Sequence, residues 1–183
     1  MTDYAMMLKQ AEEMLAEEPW YVAAMSNLSA LIMENMDGLN WAGFYLRRGG
    51  GLMVGPFQGK PACIHIPMGK GVCGTAAQRD ETVVVPNVHA FPGHIACDSA
   101  SRSEIVIPVH ADGQVVGVLD IDSPLLNRFS AEDQEGLEQL VGLFQERMGG
   151  FPIAPQPPFG LPGEQTRQGR QTRKNESKGF GLL

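Results

Sequence analysis

Three cysteines stand at positions 63, 73 and 97 of a 183-residue chain, and one of them keeps unusual company. Cys63 ("ACIHIPM") and Cys73 ("GVCGTAA") sit among small or apolar neighbours, where a free thiol ordinarily serves as a small buried hydrophobe. Cys97 instead precedes Asp98, Ser99, Ser101 and Arg102, a small and polar stretch that keeps a sulfur reachable and lets a thiolate form. Either Arg102 or a nearby helix N-terminus would lower its pKa. Carboxylates make the second constellation. Glu104 opens the strand that follows Cys97, and "GVLDIDS" carries Asp120 and Asp122 two residues apart, hence on one strand face. Pairing Glu104–His110 against Gln114–Asp120 around the Asp112-Gly113 turn brings Glu104 close to both aspartates. Three carboxylates converging beside a cysteine are costly unless a cation or a proton joins them. They interrupt strands of core character, which predicts a site rather than a solvated sheet end. Trp41 and Tyr45, also an even number apart, share a face. Core packing is the commoner role for such a pair, but an aromatic wall beside acids also suits a methyl or thioether next to an ammonium.

Two other patterns point elsewhere and are set aside. Gly69, Gly71 and Gly74 spell G-x-G-x-x-G between a strand and a helix, the form of a dinucleotide fingerprint. The preceding strand contains Pro67, no second parallel strand with an acidic residue follows, and hairpins flank the motif on both sides. A turn with tight backbone packing is the better reading. Zinc is the other: Cys63-x-His65 and His94-x-x-Cys97 form two loose pairs, but no C-x₂₋₄-C spacing occurs.

The elements that must position these residues follow from periodicity. Apolar residues at helical spacing predict helices over Tyr4–Glu17 and, after Pro19, Trp20–Met36. "NWAGFYLRR" and "GLMVGPF" around Gly49-Gly50-Gly51 read as a hairpin, "ACIHIPM" as a third strand, "GVCGTAAQRD" as a short helix and "ETVVVPNV" as a strand closed by Pro86. His89–Arg102 reads as a long loop with functional potential. "SEIVIPVHADGQVVGVLDIDS" is a strong hairpin signal. Ser130 with Asp133 caps a closing amphipathic helix over Ala131–Met148. These short connections leave no room for repeated crossovers, so the class is α+β with a mostly antiparallel sheet.

Composition narrows the functional classes. Nine Lys/Arg against nineteen Asp/Glu give residues 1–150 a formal charge of −10, which argues against a nucleic-acid surface there. Residues 1–149 read as one domain, and 150–183, rich in Pro, Gly and Gln with a basic end, as a disordered extension. An acidic, amphipathic N-terminus without an apolar signal region, and no apolar run long enough for a bilayer, predict a cytoplasmic protein away from membranes.

Taken together, "NWAGFY", "CIHIPMGKGVCGTAA", "VHAFPGHIACDSASRSEIVIPV" and "GVLDIDSP" resemble the free methionine-(R)-sulfoxide reductases, a catalytic branch of the GAF-domain family, over residues 3–148. The resemblance implies a GAF domain: an antiparallel sheet of about six strands, N- and C-terminal helices on one face, and the site on the other. It implies Cys97 as nucleophile and Cys63 or Cys73 as resolving cysteine. It also implies Trp41 and Tyr45 around the substrate methyl and thioether, with Glu104, Asp120 and Asp122 receiving the ammonium and the sulfoxide oxygen. Free methionine sulfoxide is then the substrate, thioredoxin or a similar dithiol the reductant, and no metal or organic cofactor is needed; a homodimer is compatible with it. A GAF module that binds a small molecule without turnover is the competing reading, and a zinc hydrolase using the Cys/His set a third.

Overall fold

Strands β1 (Trp41–Arg48), β2 (Gly51–Gly59), β3 (His65–Pro67), β4 (Val83–Val85), β5 (Ser103–Ala111) and β6 (Gln114–Ser123) form one antiparallel sheet in the order β3-β2-β1-β6-β5-β4. Helices α1 (Tyr4–Glu17), α2 (Tyr21–Asn35), α3 (Gly71–Arg79) and α4 (Ala131–Arg147) complete the fold. The computed structural model describes residues 2–17, 20–95 and 97–148. The extension expected at 150–183 lies outside the described residues. No helix among the described residues is long and apolar enough to cross a membrane.

Period-two alternation divides the strands between two cores. Ala42 and Phe44 of β1, Ile105, Ile107 and Val109 of β5, and Leu119 and Ile121 of β6 face α1, α2 and α4. Their neighbours Trp41, Tyr45, Val106 and Val118 face the other way, with Val72, Cys73, Ala76 and Ala77 of α3. The terminal helices thus cover one face, as expected, and α3 sits with the cysteines on the other.

Turn chemistry fixes the strand pairing. Asp112 and Gly113 both have positive φ (51° and 72°), the geometry of a two-residue turn whose twist matches the strands. Ser130 caps α4: its hydroxyl accepts from the Asp133 N–H while the Asp133 carboxylate accepts from the Ser130 N–H. The glycines of the G-x-G-x-x-G stretch serve backbone packing. Gly69 and Gly71 have φ of 73° and 60°, the Gly69 N–H donates to the Gly74 carbonyl at 2.8 Å, and a Cβ on Gly74 would collide with the Pro67 carbonyl.

Two expectations need correction. The third strand was expected over Ala62–Met68, but β3 spans only His65–Pro67, paired with Gly51, Leu52 and Met53. Cys63 lies before it, its carbonyl accepting from the Tyr45 hydroxyl at 3.1 Å, so Cys63 and His65 do not share a strand face. The β5–β6 ladder was expected to set Glu104 opposite Asp120 and His110 opposite Gln114, but it sets Glu104 opposite Asp122, runs on through Ser103↔Ser123 and contains a β-bulge. His110 pairs with Val115, but Val109 pairs with Gly117, which leaves Val116 as the extra residue.

Candidate active site

That bulge decides which side chains meet. An unbulged ladder from the Asp112-Gly113 turn would set Glu104 opposite Ile121, whose side chain belongs to the helix-covered core. With Val116 inserted, Glu104 lies opposite Asp122 and Val106 opposite Asp120. On the other flank of β6, Trp41 pairs with Asp122 and Gly43 with Asp120. One rung across the sheet therefore reads Trp41, Asp122, Glu104, and the next reads Gly43, Asp120, Val106. Gly43 is required here: a Cβ would collide with Phe57 and come within 2.8 Å of the Trp41 ring. Its absence lets Trp41 stack on Phe57, centroids 5.2 Å apart, and tilt against Tyr45 at 5.7 Å.

Glu104, Asp120 and Cys73 are all buried, and their ligand-bearing atoms lie within 4.8 Å of one another. The Cys73 thiol points to Glu104 Oε1 at 3.7 Å. Burial, then the charges of Asp120 and Asp122, pushes Glu104 well above the usual carboxylate range. Burial also raises Asp120, to about 7, against hydrogen bonds from Cys73 and Glu104 that lower it. Asp122 is raised by burial and then by Asp120, with a Ser101 hydrogen bond working the other way. Cys73 is pushed well up, first by burial and then by Asp120 and Glu104, and stays a protonated thiol. Asp120 Oδ1 is buried without a hydrogen-bond partner among the described residues. The cluster therefore holds protons at neutral pH and one acceptor with nothing to accept.

Cys97 is disulfide-bonded to Cys63, their Cα atoms 5.4 Å apart. It borders two small chambers. One, of about 30 Å³, is lined by Ile66, Cys73, Glu104, Asp120 and Asp122 and by Gly71 and Val72 of the first turn of α3. The other, of about 10 Å³, is lined by Trp41, Tyr45, Asp98, Asp120 and Asp122. The six other site residues expected from the sequence, Cys73, Trp41, Tyr45, Glu104, Asp120 and Asp122, thus line the two chambers that Cys97 borders, and Cys63 is its disulfide partner. Of the two sources of positive potential expected for Cys97, it is the α3 N-terminal turn that borders its chamber.

Sequence reasoning missed the residues that hold the Cys97 segment. Asn40 Nδ2 donates to Asp98 Oδ2 at 3.1 Å and to Ser101 Oγ at 3.0 Å, and the Asn40 N–H donates to the Asp122 carbonyl. Lys60 pairs with Asp98 at 3.5 Å. Ile95 lines the larger chamber and lies 3.3 Å from where a Gly71 Cβ would be. Nothing in the local spacing marks these positions, because the Asn40 side-chain contacts join residues about sixty positions apart.

The GAF-domain family pattern matches residues 21–145. The chain is 48% identical over 143 residues to the free methionine-R-sulfoxide reductase of Escherichia coli (strain K12), covering 78% of this chain and 87% of that protein. Among solved structures, the reduced form of fRMsr from Staphylococcus aureus superposes with a TM-score of 0.80 at 49% identity, covering 81% of this chain and 97% of that one. The free methionine-R-sulfoxide reductase of Neisseria meningitidis, in complex with its substrate, superposes with a TM-score of 0.77 at 44% identity, covering 79% and 87%.

Proposed function

Because the chain belongs to the GAF-domain family, in the branch that includes the free methionine-R-sulfoxide reductases, we propose that it reduces free L-methionine (R)-S-oxide to L-methionine, with Cys97 as nucleophile and Cys63 as resolving thiol. The observation that carries this reading is the Cys63–Cys97 disulfide set beside three buried, proton-holding carboxylates. Cys97 borders both chambers whereas Cys63 borders neither, so Cys97 is the sulfur that meets substrate. The positive end of α3 favours its thiolate. Cys73, buried and protonated among acids, is a poor resolving thiol, which favours Cys63.

A sulfoxide sulfur becomes electrophilic once its oxygen is protonated, and Glu104, the carboxyl that donates to Asp120, is suited to hold that proton. The Cys97 thiolate attacks sulfur, the oxygen passes to the cysteine as sulfenic acid, and methionine leaves with its sulfur reduced. The Cys63 thiol then attacks the sulfenic sulfur, expelling water and forming the disulfide. An external dithiol, such as thioredoxin in the reducing cytoplasm, exchanges with that disulfide and restores both thiols. Trp41 and Tyr45 pack against the methyl and thioether, and Asp120 and Asp122 receive the ammonium. Selectivity for the free amino acid follows, because a peptide-bound residue lacks that ammonium. The chambers of the disulfide form are smaller than an amino acid, so the Cys97 segment moves aside to admit substrate.

The test is methionine release from each sulfoxide diastereomer by the full chain with dithiothreitol. Turnover of the free R form is expected, with N-acetylated substrate refused. Cys97→Ser should lose turnover, and Cys63→Ser should release about one methionine per site and stall as a sulfenic acid. Steady turnover by Cys97→Ser would overturn the assignment. Ligand binding with no turnover would leave a sensor module.

A further inference from the structure

We propose that Cys73, Glu104 and Asp120 form a site for one thiophilic divalent cation, of the zinc and cadmium type, available while Cys63 and Cys97 are joined as a disulfide. The three donor atoms lie within 4.8 Å of one another, with Cys73 Sγ and Glu104 Oε1 at 3.7 Å. A tetrahedral zinc ion with bonds of about 2.0–2.3 Å holds its ligands roughly 3.5 Å apart, so closure by about 1 Å suffices. A second observation points to a ligand. Asp120 lines this chamber and is 94% buried (6% exposed), yet its Oδ1 has no hydrogen-bond partner among the described residues. An unmet buried acceptor in a cluster without a cation is what a metal ion satisfies.

The room agrees with an ion. The chamber of about 30 Å³ that these residues border takes a cation with one water, whereas no amino acid fits it. The donor set selects the metal class. One thiolate and two carboxylates suit zinc or cadmium, while magnesium and calcium require six or more oxygens and gain little from sulfur. On binding, the Cys73 S–H and any carboxyl protons go to solvent, and bonds from Sγ and two carboxylate oxygens to the metal replace bonds to its water; no redox change is involved. The site itself does not depend on the reductase reading. Its consequence does: the ion would occupy the acids assigned to the substrate ammonium, so metal and substrate would exclude each other and bound metal would hold the enzyme idle.

The test uses the full chain in its disulfide form, where Cys73 is the one remaining thiol of the three cysteines. Cadmium is titrated while the ultraviolet thiolate-to-cadmium charge-transfer band and the binding heat are recorded. A band saturating at one ion per chain is expected. Cys73→Ser should abolish the band, and Asp120→Asn should keep it while weakening affinity by at least about tenfold. Magnesium in roughly hundredfold excess should not displace cadmium. No band in the unmodified chain, unchanged affinity in Asp120→Asn, or displacement by magnesium would each overturn the site. If Cys73→Ser does not fold, Asp120→Asn and the magnesium competition still decide. Failure of the reductase reading would appear in the turnover assay and leave the cadmium band untouched.

Discussion

Asp120 and Asp133 are almost equally hidden, at 6% and 7% exposure, and their surroundings differ completely. Asp133, in the first turn of α4, is saturated. It accepts from the Tyr4 hydroxyl at 2.7 Å, the Ser130 N–H at 2.8 Å, the Ser130 hydroxyl at 3.0 Å and Arg128 Nη1 at 3.1 Å. Burial pushes its pKa up, but those hydrogen bonds and the Arg128 charge outweigh it and hold the carboxyl below its usual value. Asp120 has two carboxyl neighbours, no cationic partner in its cluster and an oxygen with nothing to accept. One carboxylate belongs to a finished structural device; the other waits for something to arrive. The same burial thus has opposite meaning, and what distinguishes the two is whether the native fold already supplies the counter-charge.

The largest effect that would break this contrast concerns turnover. Asp120→Asn keeps the shape and removes the charge, and methionine release should fall by about a thousandfold, as expected when a proton-handling and ammonium-receiving group is lost. Its urea midpoint should rise or hold, because one of three mutually repelling buried carboxylates has gone. Near-normal turnover with lowered stability would make Asp120 another structural aspartate.

The second prediction uses pH and the disulfide form. The Asp120 carboxyl titrates near 3.8 when unfolded and at about 7 when folded, so between those values the folded state holds a proton that the unfolded state has lost. Stability from this group is complete below pH 4 and is lost as pH rises through 7. Relative to Asp120→Asn, the wild type should lose up to about 4 kcal/mol across that window, with Glu104 and Asp122 acting in the same direction. Wild type that instead gained stability relative to Asp120→Asn as pH rose would contradict the proton-holding cluster. Asp133 has the opposite sign: its contribution is present above its unfolded value and is lost as the solution is acidified.

Much of this contrast was legible in the sequence, and the part that was not has a definite cause. Period two gave Asp120 with Asp122 and Trp41 with Tyr45 on shared faces, because that spacing is a property of any strand. Ser130 and Asp133 announced the α4 cap through local chemistry alone. That Glu104 joins the aspartates was expected from the hairpin, but the register that brings them together was not. A two-residue turn at Asp112-Gly113 gives a register that sends Glu104 to the wrong face, and the inserted Val116 reverses it. Val116 is one valine in "QVVGVL", and nothing in its type distinguishes a bulge from a straight strand. Cys63 eluded the pattern for a related reason: "ACIHIPM" has strand character, but its ladder with β2 ends at Met53↔His65, with one further bond from the Val54 N–H to the Ile64 carbonyl, so the strand is short and Cys63, lying before it, reaches Cys97.

Two smaller effects sharpen the structural half of the comparison. Asp133→Ala leaves Arg128 without its carboxylate and α4 without its cap, and should cost about 3 kcal/mol in urea unfolding while leaving kcat/KM within about twofold of wild type. Tyr4→Phe should cost less, about 1 kcal/mol, because it deletes one donor and leaves Asp133 its others. The Tyr4 ring lies directly on Gly136 of α4, where a Cβ would collide with it, so the phenylalanine ring keeps its packing and only the hydroxyl is tested. If Tyr4→Phe destabilised the protein as much as Asp133→Ala, the carboxylate would depend on a single donor. It would then resemble Asp120 more closely than its four partners indicate.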